Sequence, residues 1–163
     1  MAISHAYAGY NTAGGTDETM TQYRVYTKKI TLASAAWITS IGAHLKTNGT
    51  NVGSVSTALY LDTAGDPSQI LAYSGVTATD VYPQDSGGTT YRWLHRAMSY
   101  YATAGDYWLA VMDTSAAGRL VIAKDGSGSD RYYTSGGAWF ADWTFYAPTT
   151  TTDRYSIRAS LIS

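Results

Sequence analysis

Apolar runs in this chain are all short, and about every 8 to 15 residues a cluster of Gly, Asp, Ser or Thr interrupts them. That spacing leaves little room for amphipathic helices, and a 3.6-residue period never lasts beyond a turn or two. Where a period exists it is two. Tyr23 and Val25, then Ile30 and Leu32 after a shift, alternate with Arg24, Lys28 and Thr31. Such alternation turns one side of a strand to a core and the other to water. Further strands are predicted over 37–47, 55–62, 70–78, 90–98, 106–113, 119–124, 131–135 and 154–162. "NGTNVG" at 48–53 and "DTAGDPSQ" at 62–69 carry the turn residues between them. Many short strands with regular turns predict an all-β fold, an antiparallel β-sandwich of jelly-roll type. No repeat of 20 to 50 residues is present, so a solenoid or propeller does not fit.

The stretch "AGDYWLAVMD", 104–113, departs from simple alternation. Gly105 makes a corner, Tyr107 and Trp108 point to opposite faces, and Leu109 to Met112 run apolar without a break. A run of that length bounded by turn residues predicts a central strand buried on both faces, with Trp108 serving the fold first. Residues 1–22 show neither period and are expected to form an extended N-terminal arm or a loose first strand ahead of a domain at 23–163. Removing residues 1–20 is accordingly expected to leave the domain folded but to abolish binding to a particle.

Length and charge narrow the class. A domain of 163 residues buries about 68–70% of its unfolded surface and needs no metal or disulfide to fold. There are 0 Cys, hence no thiol nucleophile or disulfide framework. Net charge is −1 with 14% charged residues, which offers no basic field to nucleic acid or to an anionic membrane. No run of about 18 apolar residues occurs, and the N-terminus has no basic segment followed by an apolar one, so neither a membrane helix nor an export signal is expected. The 15 Tyr and 5 Trp against 2 Phe suit half-exposed sheet faces and contact surfaces, and equally suit plain strand propensity.

Residues with catalytic potential are few and scattered. His5, His44 and His95 lie far apart in sequence, and each reads as a surface or half-buried strand histidine rather than a zinc ligand. Motifs of serine hydrolases, zinc proteases and nucleotide binders are absent, and Glu18 is the sole glutamate. No enzyme and no cofactor is expected. The loop "DGSGSDRYY" at 125–133 offers Asp125 and Asp130 as weak calcium candidates, though a glycine hairpin explains it as well. Candidate partner-binding residues are Tyr7 and Tyr10 in the arm, with Trp139, Trp143 and Tyr146 in the aromatic segment "GGAWFADWTFY". That segment can stack on sugar rings, anchor a protein contact or pack in the core.

The order of these motifs resembles a known family. Asp62, Gly65 and Pro67 end one strand; Gly105, Tyr107 and Trp108 open another; Gly126 and Gly128 lead to Arg131 and Tyr132; and "DRYSIRASLI" closes the chain. The succession is similar to a jelly-roll domain of tailed-phage virion proteins, found also in some large bacterial surface proteins and similar in fold to carbohydrate-binding modules. It spans about Tyr23 to Ile162, and departs from the family at "TSGGAWFADWTFYAPTTTT", where an Asp/Gly/Pro-rich loop is usual. The resemblance implies a phage virion structural protein without catalytic residues. Its most specific form is a capsid decoration (cement) protein on the capsid exterior, a homo-oligomer bound to the major capsid protein or another virion protein. The alternative is a receptor- or carbohydrate-binding module of a tail fibre or bacterial surface protein, with a glycan as partner.

Overall fold

Alternating segments become strands at nearly the expected places in the computed structural model, which describes residues 4–50, 52–74, 79–81, 87–115, 118–134 and 149–163. The long strands are β3 (Arg24–Leu32), β4 (Ala36–Thr47), β5 (Gly53–Thr63), β6 (Asp66–Tyr73), β8 (Arg92–Ala102), β9 (Gly105–Asp113), β10 (Leu120–Asp125) and β14 (Ile157–Ile162). Shorter ones are β1 (His5–Gly9), β2 (Thr16–Thr19), β7 (Thr79–Val81), β11 (Arg131–Thr134), β12 (Thr149–Thr150) and β13 (Arg154–Tyr155). At the β5–β6 turn Ala64 and Gly65 both have positive φ, 55° and 91°, the pair of angles a two-residue type I′ hairpin requires. Glycine there removes half of the steric cost.

Among the described residues all pairings are antiparallel and fall into two sheets packed face to face. Sheet A runs β1–β14–β4–β10–β13, with β2 beside β10 and β8 beside β4. Sheet B runs β12–β11–β3–β9–β5–β6, with β7 beside β5. Successive strands β3, β4, β5, then β8, β9, β10 and β11, cross from one sheet to the other, while the β5–β6 hairpin stays in sheet B. Such crossings separate a jelly-roll-type sandwich from an up-and-down meander.

The main core lies between the sheets. It joins Ile38, Ile41, Ala43 and Leu45 of β4 and Ile157 and Ala159 of β14 to Tyr26 and Ile30 of β3, Leu59 of β5 and Tyr107, Leu109 and Val111 of β9. Tyr26 and Tyr155 meet edge to face with ring centroids 5.1 Å apart, an arrangement aromatic pairs favour. The alternate residues of β9, Trp108, Ala110 and Met112, enter a second buried cluster with Val25, Ala58 and Tyr60 on the other face of sheet B. β9 is therefore buried on both faces, as its unbroken apolar run predicts. Only half of that run fills the space between the sheets.

The N-terminal segment is stitched into sheet A. β1 pairs with β14 from His5↔Ile162 to Gly9↔Arg158, and β2 pairs with β10 from Thr16↔Lys124 to Thr19↔Val121. Met20 is fully buried in the main core. Glu18 accepts hydrogen bonds from Lys124 Nζ at 2.9 Å and from the Tyr155 hydroxyl at 3.2 Å. These contacts argue against the expectation that residues 1–20 can be removed without loss of folding: the cut would take a core side chain and the acceptor of a half-buried ammonium.

Candidate functional site

Period two decides what sheet A shows to the outside. In β4, Ile38, Ile41, Ala43 and Leu45 turn inward, which leaves Trp37, Ser40, Gly42, His44 and Lys46 outward. Arg158 and Ser160 of β14, Trp93 and His95 of β8 and Tyr7 of β1 share that outer face. The register Tyr7↔Ser160, Arg158↔Gly42, Gly42↔His95 and His44↔Trp93 sets these residues side by side across four strands. A register shift between Ile38 and Ser40 realigns β4 against β8, so Trp37 faces Tyr101.

Arg158 is the centre of the face. Its guanidinium carbon lies 3.9 Å from the Trp93 ring centroid and 4.1 Å from that of Tyr7, in cation–π contact with both rings. Its Nε and Nη2 donate to His95 Nε2 at 3.3 and 3.0 Å, and its Nη1 donates to Asn11 Oδ1. Since arginine can only donate, His95 Nε2 is the acceptor and the imidazole proton sits on Nδ1, facing the Ser40 and Ser160 hydroxyls at 3.2 and 3.4 Å. A Cβ on Gly42 would come within 2.7 Å of the His95 ring, so the absence of a side chain there seats the imidazole.

The row continues away from Arg158. His44 lies 5.2 Å from Trp93 and stacks on Tyr91 at 5.1 Å with a 22° tilt. The Tyr91 hydroxyl donates to Asp17 at 2.6 Å, and Lys46 reaches the other oxygen of that carboxylate at 2.6 Å. At the opposite end Trp37 and Tyr101 lie 5.4 Å apart and are 48% and 54% exposed. The result is a rigid face of rings and hydrogen-bond donors on a sheet backed by the main core. Chemically it can stack on and donate to a partner.

Burial, and then the nearby Arg158 charge, hold both His44 and His95 below the ordinary histidine value of 6.5. The folded chain thus takes up these protons less readily than the unfolded one, so the stability they contribute is complete above about pH 6.5 and drains away as pH falls toward the depressed values. Buried Asp113 and Asp130, pushed up by burial, act with the opposite sign: what they contribute is present at low pH and lost as pH rises through their raised values. The difference between wild type and a His44→Gln/His95→Gln double variant isolates the histidine effect. The thermal midpoint of wild type is expected to fall more steeply than that of the variant between about pH 7 and 5. Parallel curves would remove the histidines from the account.

The residues singled out in the sequence fall in different places. Tyr7 joins the row and is 53% exposed. Tyr10 lies just past β1, its hydroxyl donating to the Asp125 carboxylate and its ring 4.9 Å beneath Arg154, which makes it a tie between strands. Trp139, Trp143 and Tyr146 lie outside the described residues. Asp125 and Asp130 engage separate partners: Asp125 accepts from Tyr10 and from the Gly15 N–H, while buried Asp130 holds Lys28 Nζ at 2.7 Å and the Tyr155 N–H at 2.7 Å. The Lys28 ammonium already occupies the position beside Asp130 that a cation would take. His95 is the half-buried strand histidine expected of it, on β8. Arg158, Trp93 and Gly42 escaped sequence reasoning, although a glycine inside a strand pattern signals close approach of another group.

No protein-family model matches this sequence, and no curated protein matches it at a significant level.

Proposed function

We propose that this chain is an attachment protein of a phage virion, most specifically a head decoration protein that docks the outer face of sheet A onto the assembled capsid lattice. The observation that carries the reading is the row of aromatic side chains from Tyr91 to Tyr7, with exposed Trp37 and Tyr101 beyond it, held flat on a rigid sheet. Tyr, Trp and Arg are the side chains that anchor protein interfaces, because they bury large area with few rotatable bonds. The resemblance of the Asp62–Pro67, Gly105–Trp108 and Gly126–Tyr132 motifs to virion jelly rolls supports the phage setting. A protein that binds the assembled lattice and not its dispersed subunits stabilises it by mass action. A homo-oligomer multiplies weak contacts into avidity.

The exposed Trp37–Tyr101 pair favours a second reading, a receptor- or carbohydrate-binding module, since rings of this kind can stack on sugars. Both readings are separated by mixing the full chain with heads lacking it, with isolated tails and with immobilised host glycans. Saturation of heads at lattice stoichiometry is expected, and a Trp37→Ala/Tyr101→Ala variant should bind at least about tenfold more weakly, the loss typical of truncated interface anchors. Retention by glycans with heads left bare would replace the first reading by the second.

A further inference from the structure

We propose that Arg158 is an anion anchor whose ligand is a carboxylate, an aspartate or glutamate side chain on the protein surface against which this face docks. The partner in that statement rests on the attachment reading above; the anion site does not.

The four lysines of the chain each meet a carboxylate: Lys28 with Asp130, Lys29 with Asp62 and Asp106, Lys46 with Asp17, and Lys124 with Glu18 and Asp153. Arg158 is treated differently. Among the described residues its hydrogen-bond partners are a neutral imidazole and a carboxamide, and its guanidinium lies over two rings, those of Trp93 and Tyr7. Rings shield a cation from water without neutralising it, which strengthens its attraction for an arriving anion. His95 and Asn11 use three of the five N–H groups, leaving one on each terminal nitrogen, the number that a bidentate carboxylate takes. Stacking and these hydrogen bonds fix the plane of the fork beforehand, so little freedom is lost on binding.

The same packing argues for a protein carboxylate over a sugar. The Trp93 ring lies against Arg158 on one contact and His44 on another, and the Tyr7 ring also lies against Arg158. What this part of the face presents is therefore a charge with directed donors in place of a bare stacking platform. A single fork matches one planar carboxylate, and the chain's net charge of −1 offers no wider basic field for a polyanion.

The test has two arms on the full-length chain. In the first, sodium acetate is titrated at constant ionic strength while the Trp93 indole and His95 imidazole NMR signals are followed, with sodium chloride as control. A saturable acetate-specific shift in wild type that vanishes in Arg158→Gln is expected; a shift absent in wild type, or unchanged in the variant, overturns the anion site. In the second arm, uptake by heads lacking the protein is measured. Arg158→Gln is expected to weaken uptake at least about tenfold and Arg158→Lys to recover only part of it, because lysine keeps the charge and lacks the fork. An acetate response with wild-type uptake by Arg158→Gln overturns the docking role. Uptake by neither protein overturns the attachment reading, and with it the partner, while the acetate arm still decides the site. Saturation by N-acetylneuraminate at far lower concentration than acetate would make the ligand a sugar acid and overturn the protein carboxylate.

Discussion

Trp108→Ala is expected to cost about 3–5 kcal/mol of folding free energy, a large share of the roughly 5–15 kcal/mol that holds a typical domain together. The side chain is 3% exposed and sits at the centre of sheet B, on a strand paired with β3 on one side and β5 on the other. Truncation leaves a cavity among Val25, Ala58, Tyr60, Ala110 and Met112, whose backbones belong to three hydrogen-bonded strands and cannot collapse into it. Trp108 Nε1 also donates to Asp62 Oδ1 at 2.6 Å, and the second oxygen of Asp62 accepts the Gly65 N–H that closes the β5–β6 turn. The expected thermal midpoint falls by roughly 6–20 °C, at about 2–4 °C per kcal/mol for a chain of this size. Trp108→Phe keeps most of the buried area and forfeits the hydrogen bond to the Asp62 carboxylate, for about 1.5–3 kcal/mol. Urea unfolding followed by circular dichroism ranks the three proteins. An alanine variant within 1 kcal/mol of wild type would show that the second cluster contributes little.

Trp108 also shows how far the chain can be read without coordinates. Its strand is legible because the apolar run from Leu109 to Met112 has no polar gap, and the C-terminal ends of β4, β9 and β10 are legible because the strand pattern stops at Asn48, Asp113 and Asp125. β1 and β2 give no such signal. "HAYAG" and "TDET" put almost every side chain toward water, and backbone hydrogen bonds to β14 and β10 hold them in place, so no hydrophobic period marks them. The candidate face has the same difficulty one level up. Alternation says that His44 and Lys46 share a face, yet only the register between strands remote in sequence says that Arg158 lies between Tyr7 and Trp93. Tyr7 was reachable as an aromatic residue in a polar stretch; Arg158 reads as an ordinary outward residue until its neighbours are known.

Removal of residues 1–20 is expected to abolish cooperative folding, whereas removal of residues 1–10 is expected to leave a folded, less stable domain. The shorter cut takes β1, whose residues other than Ala8 are exposed, together with the Tyr10 tie to Asp125. It leaves β2, Glu18 and Met20 in place. The longer cut also takes Met20, and emptying a buried methionine position alone costs about 2–5 kcal/mol. It takes Glu18 as well, so Lys124 retains Asp153 alone and the Tyr155 hydroxyl, facing the main core, loses that acceptor. Finally it strips β2 from β10 and exposes four residues of ladder at once. These losses share contacts around Lys124 and Tyr155 and therefore do not simply add, but they act in one direction. Thermal melts of both truncations check the expectation: a cooperative transition in the 1–10 deletion and none in the 1–20 deletion. Equal, near-wild-type midpoints would mean that β2 and Met20 are ornaments on a core complete without them. The pair of truncations also separates folding from attachment, since the shorter one removes Tyr7 and Asn11's neighbouring strand while the sheet that carries Arg158 remains folded.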